Sequence, residues 1–285
     1  MLNRIRFFAT TALLAGLLAT AADAADLKVP ATITAGSGLS IPTSGSGDAT
    51  LYLVGPGVAI KRQVHLGQDV QLTAEEVQNA GRYAITLGDD NATFYVTAAP
   101  VNTIAFLARP SRVPAATSNV IAGTVFIFDK YANLVLEPQP VKFDLSANGQ
   151  NISRSATSKD GVAYVKLDSE KKAGMAQFTA TSGQASVRRV VQQVASDPCS
   201  IRMMAQPNKT GIELKTEPIR DCAGNLVPDG TIVTFTASSP KGKSTVDARI
   251  RQGIASAELP ASSDATISVA SGVVVGNEIH WRGGE

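Results

Sequence analysis

The chain has 285 residues, with 26 Lys or Arg against 24 Asp or Glu, a formal charge of +2 and 5% aromatic side chains. That near balance leaves no strongly basic face of the kind nucleic acid requires. The length allows two or three domains.

Residues 1–24 read as a secretory signal peptide. "MLNRIR" carries Arg4 and Arg6, "FFATTALLAGLLATA" is an apolar run, and "ADA" places small residues where a signal peptidase reads, so cleavage is expected before Ala25. The run is shorter than the about 20 residues that cross a bilayer comfortably. No Cys follows it to carry a lipid, and no adjacent Arg pair marks the twin-arginine route. Removing the segment leaves 24 basic and 23 acidic residues, a formal charge of +1. A later apolar stretch, "VASGVVVG" from Val269, is too short to span and is broken by Gly. The mature chain is therefore expected to leave by the general secretory pathway, without a membrane span, for the periplasm, the cell surface or the medium.

From residue 25 onward the sequence is rich in Val, Thr, Ser, Ala and Gly, with Gly, Pro, Asn and Asp as frequent punctuation. Short alternating apolar runs between turn residues are the signature of strands. In the first stretch these are "ATLYLV", "VAIKRQV", "VQLT", "RYAITL" and "ATFYVT". "LTAEEVQNAG" near residue 75 is expected to form one or two helical turns. It precedes Tyr83, and this arrangement is like the corner of immunoglobulin-like domains at which a Tyr hydroxyl folds back onto upstream backbone. "GDDNA" at 88–92 is expected to be a hairpin turn.

The rest of the chain repeats itself. "DKYANLV" at 129–135 returns as "DCAGNLV" at 221–227, an offset of 92. At the same offset Val141, Phe143 and Leu145 fall on Val233, Phe235 and Ala237. Gly161, Ala163, Val165 and Leu167 fall on Gly253, Ala255, Ala257 and Leu259. After a three-residue deletion, Ala176, Phe178 and Ala180 meet Ala265, Ile267 and Val269. Spacing of i, i+2, i+4 puts each group on one face of a strand. What repeats is thus a set of strand faces with their turns, at a pitch that suits a seven-stranded sandwich of about 100 residues. In the second copy Pro218 interrupts the alternation between Leu214 and Ile219, and a one-residue bulge at Glu217–Pro218 is expected.

Asp and Asn bond their own main chain and tolerate left-handed backbone, so Asp129, Asn133, Asp221 and Asn225 read as turn residues. Calcium wants six to eight oxygens, and two side chains per copy are too few; no metal or cofactor is expected. The order of elements around "DCAGNLVPDGTIVTF" (221–235) resembles the bacterial immunoglobulin-like domain of invasin and intimin type. The resemblance covers about residues 101–285 as two copies. The first copy departs from it with Ala132 for Gly and "LEPQP" for the "PDG" stretch. It implies β-sandwiches that act as spacers or ligand-presenting surfaces, and it implies no catalysis. The fold class is accordingly all-β, tandem immunoglobulin-like sandwiches after a cleaved signal peptide, with boundaries at 25–99, 100–195 and 196–285.

Cys199 and Cys222 are the only cysteines. In an exported protein such a pair is expected to form a disulfide, here confined to the last sandwich because the aligned position in the copy before it is Lys130. His65 and His280 lie in different domains, and neither accompanies a G-x-S-x-G elbow. No catalytic residue is assigned. The leading expectation is a non-enzymatic protein acting in adhesion or as an envelope scaffold, with a protein or glycan partner on the envelope or another cell. A periplasmic binding or assembly module serving a secretion system is the alternative. A polysaccharide-acting accessory module ranks below both, since aromatics are few and Trp281 is the single Trp.

Overall fold

A computed structural model of the chain describes residues 27–260 and 264–282. The expected signal peptide lies outside the described residues. The chain divides into two compact units, one ending at Thr97 and the other starting at Ala98. All regular elements among the described residues are strands.

The first unit contains β1 (Thr32–Thr34), β2 (Leu39–Ile41), β3 (Asp48–Gly55), β4 (Val58–His65), β5 (Val70–Leu72), β6 (Gly81–Leu87) and β7 (Asp90–Thr97). They form a five-stranded sheet in the order β1-β7-β6-β3-β4 and a two-stranded sheet, β2-β5. Alternation places Leu51, Leu53, Ile85, Phe94 and Val96 inward from the large sheet and Ile41, Val70 and Leu72 inward from the small one. Tyr83 is fully buried, stacks on Phe94 with ring centroids 5.3 Å apart, and donates its hydroxyl to the Asn79 carbonyl at 2.9 Å. Its ring lies over Gly55, where a Cβ would stand 2.4 Å from the ring carbons.

The helical turns expected near residue 75 are not formed; residues 74–77 make a single turn. The local signal is genuine. Thr73 N–H donates to Glu76 Oε2 at 2.8 Å and Glu76 N–H to Thr73 Oγ1 at 3.4 Å, the reciprocal pair that opens a helix. A turn so short gains little against its nucleation cost. Asn79, whose carbonyl holds Tyr83 and whose Nδ2 donates to Pro56 O, then draws the chain into β6.

The second unit begins with β8 (Thr103–Arg109), β9 (Arg112–Pro114), β10 (Ile121–Phe128) and β11 (Pro140–Ala147). These are followed by β12 (Gln150–Thr157), β13 (Val162–Leu167), β14 (Gly174–Ser182) and β15 (Ala185–Val194). Sheets β13-β10-β8 and β12-β11-β14-β15-β9 enclose a core in which Phe106, Phe143 and Phe178 meet. A second core follows, built from β16 (Pro198–Ser200), β17 (Met203–Pro207), β18 (Gly211–Thr216), β19 (Arg220–Asp221) and β20 (Ile232–Ser239). It is completed by β21 (Gly242–Arg249), β22 (Ser256–Pro260), β23 (Asp264–Ser271) and β24 (Val274–Arg282). Sheet β21-β20-β23-β24 faces β17-β18-β22 across Leu214, Phe235 and Ile267.

The register realises the repeat. Phe143 pairs Ala180 and Leu145 pairs Phe178 between β11 and β14. Phe235 pairs Val269 and Ala237 pairs Ile267 between β20 and β23. The first set of pairs buries two phenylalanines and the second only one, so the equivalent faces are filled by different side chains. The two copies diverge at the strand that leads into the repeated turn. β10 runs unbroken, whereas its counterpart splits into β18 and β19 at Pro218, which has no N–H for a ladder. Inward positions move from Ile212, Leu214 and Thr216 to Ile219, a phase slip of one residue that returns Ile219 to the core.

Candidate functional site: the repeated turn

Each copy of the turn is organised by a buried carboxylate. Asp129, 1% exposed, accepts from the amides of Tyr131 and Asn133 and from Asn133 Nδ2, all at 2.8 Å. Its Oδ2 also accepts from Ala99 N at 2.8 Å, thirty residues upstream. Asp221, 3% exposed, repeats the plan with Ala223 N at 3.0 Å, Asn225 N at 2.8 Å and Asn225 Nδ2 at 3.0 Å. Here the upstream donor is Ser196, through its amide at 3.1 Å and its hydroxyl at 3.4 Å. In both copies, then, the aspartate ties its own turn to the segment that enters the sandwich.

Burial acts to raise both carboxyls. The donated hydrogen bonds, led by the side chains of Asn133 and Asn225, outweigh it and hold each below the usual carboxylate range. These N–H donors occupy the lone pairs a cation would need. Among the described residues no three acidic, His or Cys side chains gather as a metal cluster.

The rest of the motif has a mechanical explanation that sequence reading missed. Leu134 lies on Gly161 and Leu226 on Gly253, where a Cβ would come within 2.4 and 2.7 Å of the respective Leu side chain. Both glycines adopt positive φ, 79° and 82°. The signal was available, since Leu and Gly repeat at the same offset, but their contact bridges 27 residues.

Asn225 does more than close its own turn. Its Oδ1 accepts from Ala173 N at 2.8 Å and its Nδ2 donates to Lys171 O at 2.7 Å. The loop it grips, between β13 and β14, is the place where the first copy is longer by the three residues deleted in the second. Cys199 and Cys222 are joined in a disulfide, with Cα atoms 4.7 Å apart, immediately beside Asp221. The second turn is thus held to the entering segment by a carboxylate and a covalent bond, and to the preceding core by an amide. A cleft of about 730 Å³ opens beside it, with Arg112, Val113, Ala195, Asp197, Val227 and Pro228 in its lining.

The two histidines stand apart, each on a strand surface. His65 Nδ1 lies 3.0 Å from Asp48 Oδ1, and His280 Nδ1 lies 3.2 Å from Thr266 Oγ1; both histidines and Asp48 are exposed and Thr266 is half-buried. Among the described residues the hydrogen-bond partner of His65 is Asp48 and that of His280 is Thr266.

Solved structures similar to this chain include FdeC, an Escherichia coli adhesin, at 16% identity and a TM-score of 0.57 over 85% of this chain and 90% of that one. InvD of Yersinia pseudotuberculosis is 12% identical, with a TM-score of 0.49 over 88% and 94% of the two chains. Invasin, a bacterial integrin-binding protein, is 13% identical with a TM-score of 0.49, covering 88% of this chain and 56% of its own. No protein-family model matches the chain, and no curated protein sequence matches it. At 16% identity the likeness to FdeC is one of fold, the immunoglobulin-like β-sandwich.

Proposed function

We propose that this chain is an exported, non-enzymatic immunoglobulin-like protein that acts in adhesion or as a binding scaffold of the cell envelope. The observation that carries this reading is the repeated turn. Its most distinctive residues, Asp129 and Asp221, hold the segment entering each sandwich and present no reactive group to solvent. The stretches 25–99, 100–195 and 196–285 are read as three sandwiches, each folding as a unit. The partner is a protein or glycan of the envelope or of another cell, and the adhesin character of FdeC supports that choice.

Cell fractionation tests the proposal. The expected result is a mature chain beginning at Ala25 in the periplasmic or surface fraction, with weakened attachment of cells that lack it. A cytoplasmic, uncleaved chain overturns the reading, as does any turnover abolished by His65→Ala with His280→Ala.

A further inference from the structure

The outer face of the large sheet in the first unit differs from the outer faces of the two later cores. Pairing sets Lys61, Tyr52, Thr86 and Asn91 in one row across β4, β3, β6 and β7. The next row is Ala59, Val54, Ala84 and Thr93, and beyond it Arg82 stands beside Tyr95 and Thr32. Tyr52, Val54 and Tyr95 are 42%, 55% and 53% exposed. The corresponding sheet in the last core presents Thr234, Thr236, Thr245 and Ser268, and the middle one presents Asp144, Ser146, Thr179 and Arg188. Neither of those faces carries a Tyr, Phe or Trp among its paired outward positions; the last one has His280 on β24.

Two strands and four residues separate Tyr52 from Tyr95, a distance of about 17 Å from standard strand spacing and rise. Between the rings lie Val54, Ala84 and Thr93, whose short side chains leave the strip open between the two tyrosines. Lys61 Nζ sits 5.5 Å from the Tyr52 ring centroid, in cation–π range. Neither Lys61 nor Arg82 forms an ion pair among the described residues. The strip has no carboxylate; Asp48, at the far end of β3, is beside His65. In a chain whose charges nearly cancel, this face combines two unpaired cations with two exposed rings.

We propose that this face binds an anionic polysaccharide lying along the diagonal from Tyr52 to Tyr95. Each ring offers an apolar surface to the C–H face of a sugar while its hydroxyl stays wet. The Arg82 guanidinium presents a planar fork to a carboxylate or sulfate, and Lys61 a point charge. Two rings set apart by short side chains, with a cation beside each, suit an extended charged chain better than a protein hot spot, which clusters its anchors at one centre. The inference rests on the reading of the chain as a binding protein and narrows its partner to a glycan.

The test uses the full mature chain in affinity electrophoresis against polygalacturonate, heparin and neutral dextran. Expected is retardation by an anionic polymer and none by dextran, weakening as salt is added. Tyr52→Ala with Tyr95→Ala, and separately Lys61→Ala with Arg82→Ala, should each weaken binding by roughly ten-fold or more, as loss of stacked rings or of paired charges implies. All four side chains point outward, so unchanged thermal melting checks that the variants are folded. Retardation by polygalacturonate assigns the anion as a carboxylate, and by heparin alone as a sulfate. No retardation by either polymer overturns the inference, as does retardation that survives both double variants. Capture of an envelope protein lost in the same variants, with both polymers passing freely, overturns the glycan and leaves the proposed function standing.

Discussion

The turn at 129–135 and the turn at 221–227 share one backbone plan and differ in how much holds it. Both aspartates bind their own turn and the entering segment. The second turn adds a disulfide and the Asn225 contacts to Lys171 and Ala173. The first uses Ala132 at φ 65° where the second uses Gly224 at φ 86°. The difference teaches that the aspartate is the common requirement, while the other fastenings are elaborations of the second copy.

The largest expected effect is therefore loss of either aspartate. Asp129→Ala or Asp221→Ala orphans several buried donors, and at about 1–3 kcal/mol for each unsatisfied group the loss should reach roughly 4 kcal/mol in the affected sandwich. Chemical denaturation of each variant measures it; a change below about 1 kcal/mol in both would mean that the carboxylate does not hold the turn. Acid should act on the same groups. Because both folded carboxyls titrate below their usual range, their contribution is complete above the unfolded value of about 4 and is lost as pH falls through the lowered folded value. The acid slope of thermal stability should flatten in Asp129→Asn with Asp221→Asn.

Reduction of the disulfide comes next, and it separates the copies. Closing 23 residues stabilises by about 3 kcal/mol on the chain-entropy estimate, or very roughly 12–24 °C for a domain of this size. Calorimetry with and without a dithiol should show the last core shifting and the others unchanged. Two free thiols in the denatured, unreduced chain would remove the effect altogether.

Smaller effects follow from the backbone. Gly161→Ala should cost about 2 kcal/mol and Gly253→Ala about 1, through left-handed backbone plus contact. At Gly161 the new Cβ meets the branch carbon of half-buried Leu134, whereas at Gly253 it meets a terminal methyl of exposed Leu226. Equal costs would show that the leucine contact is irrelevant. Ala132→Gly should stabilise its turn by up to about 1 kcal/mol, by relieving the left-handed Cβ. A destabilised variant would mean that Ala132 is not strained.

Much of the fold is written in local alternation. Val141, Phe143 and Leu145 announce an inward strand face without reference to any other segment, because side-chain direction on a strand has period two. The same holds for Leu51 and Leu53 against Tyr52, so the outward aim of that ring was legible. The 92-residue offset then related the two later cores, since each copy must bury the same faces.

What local pattern could not decide is whatever depends on segments meeting. "TAEE" carries a helix-opening pair, yet Asn79 and the buried Tyr83 ring take the chain away after one turn. Asp129 and Asp221 were legible as turn residues, but their fourth partners, Ala99 and Ser196, lie 30 and 25 residues away. Asn225 finds Lys171 and Ala173 across 54 and 52 residues. Tyr52 and Tyr95 share a face only because the registers of β3, β6 and β7 align them. Alternation is dictated by the chain's own geometry, while register and partner choice are settled by closing a common core, and that is why tertiary structure alone decided them.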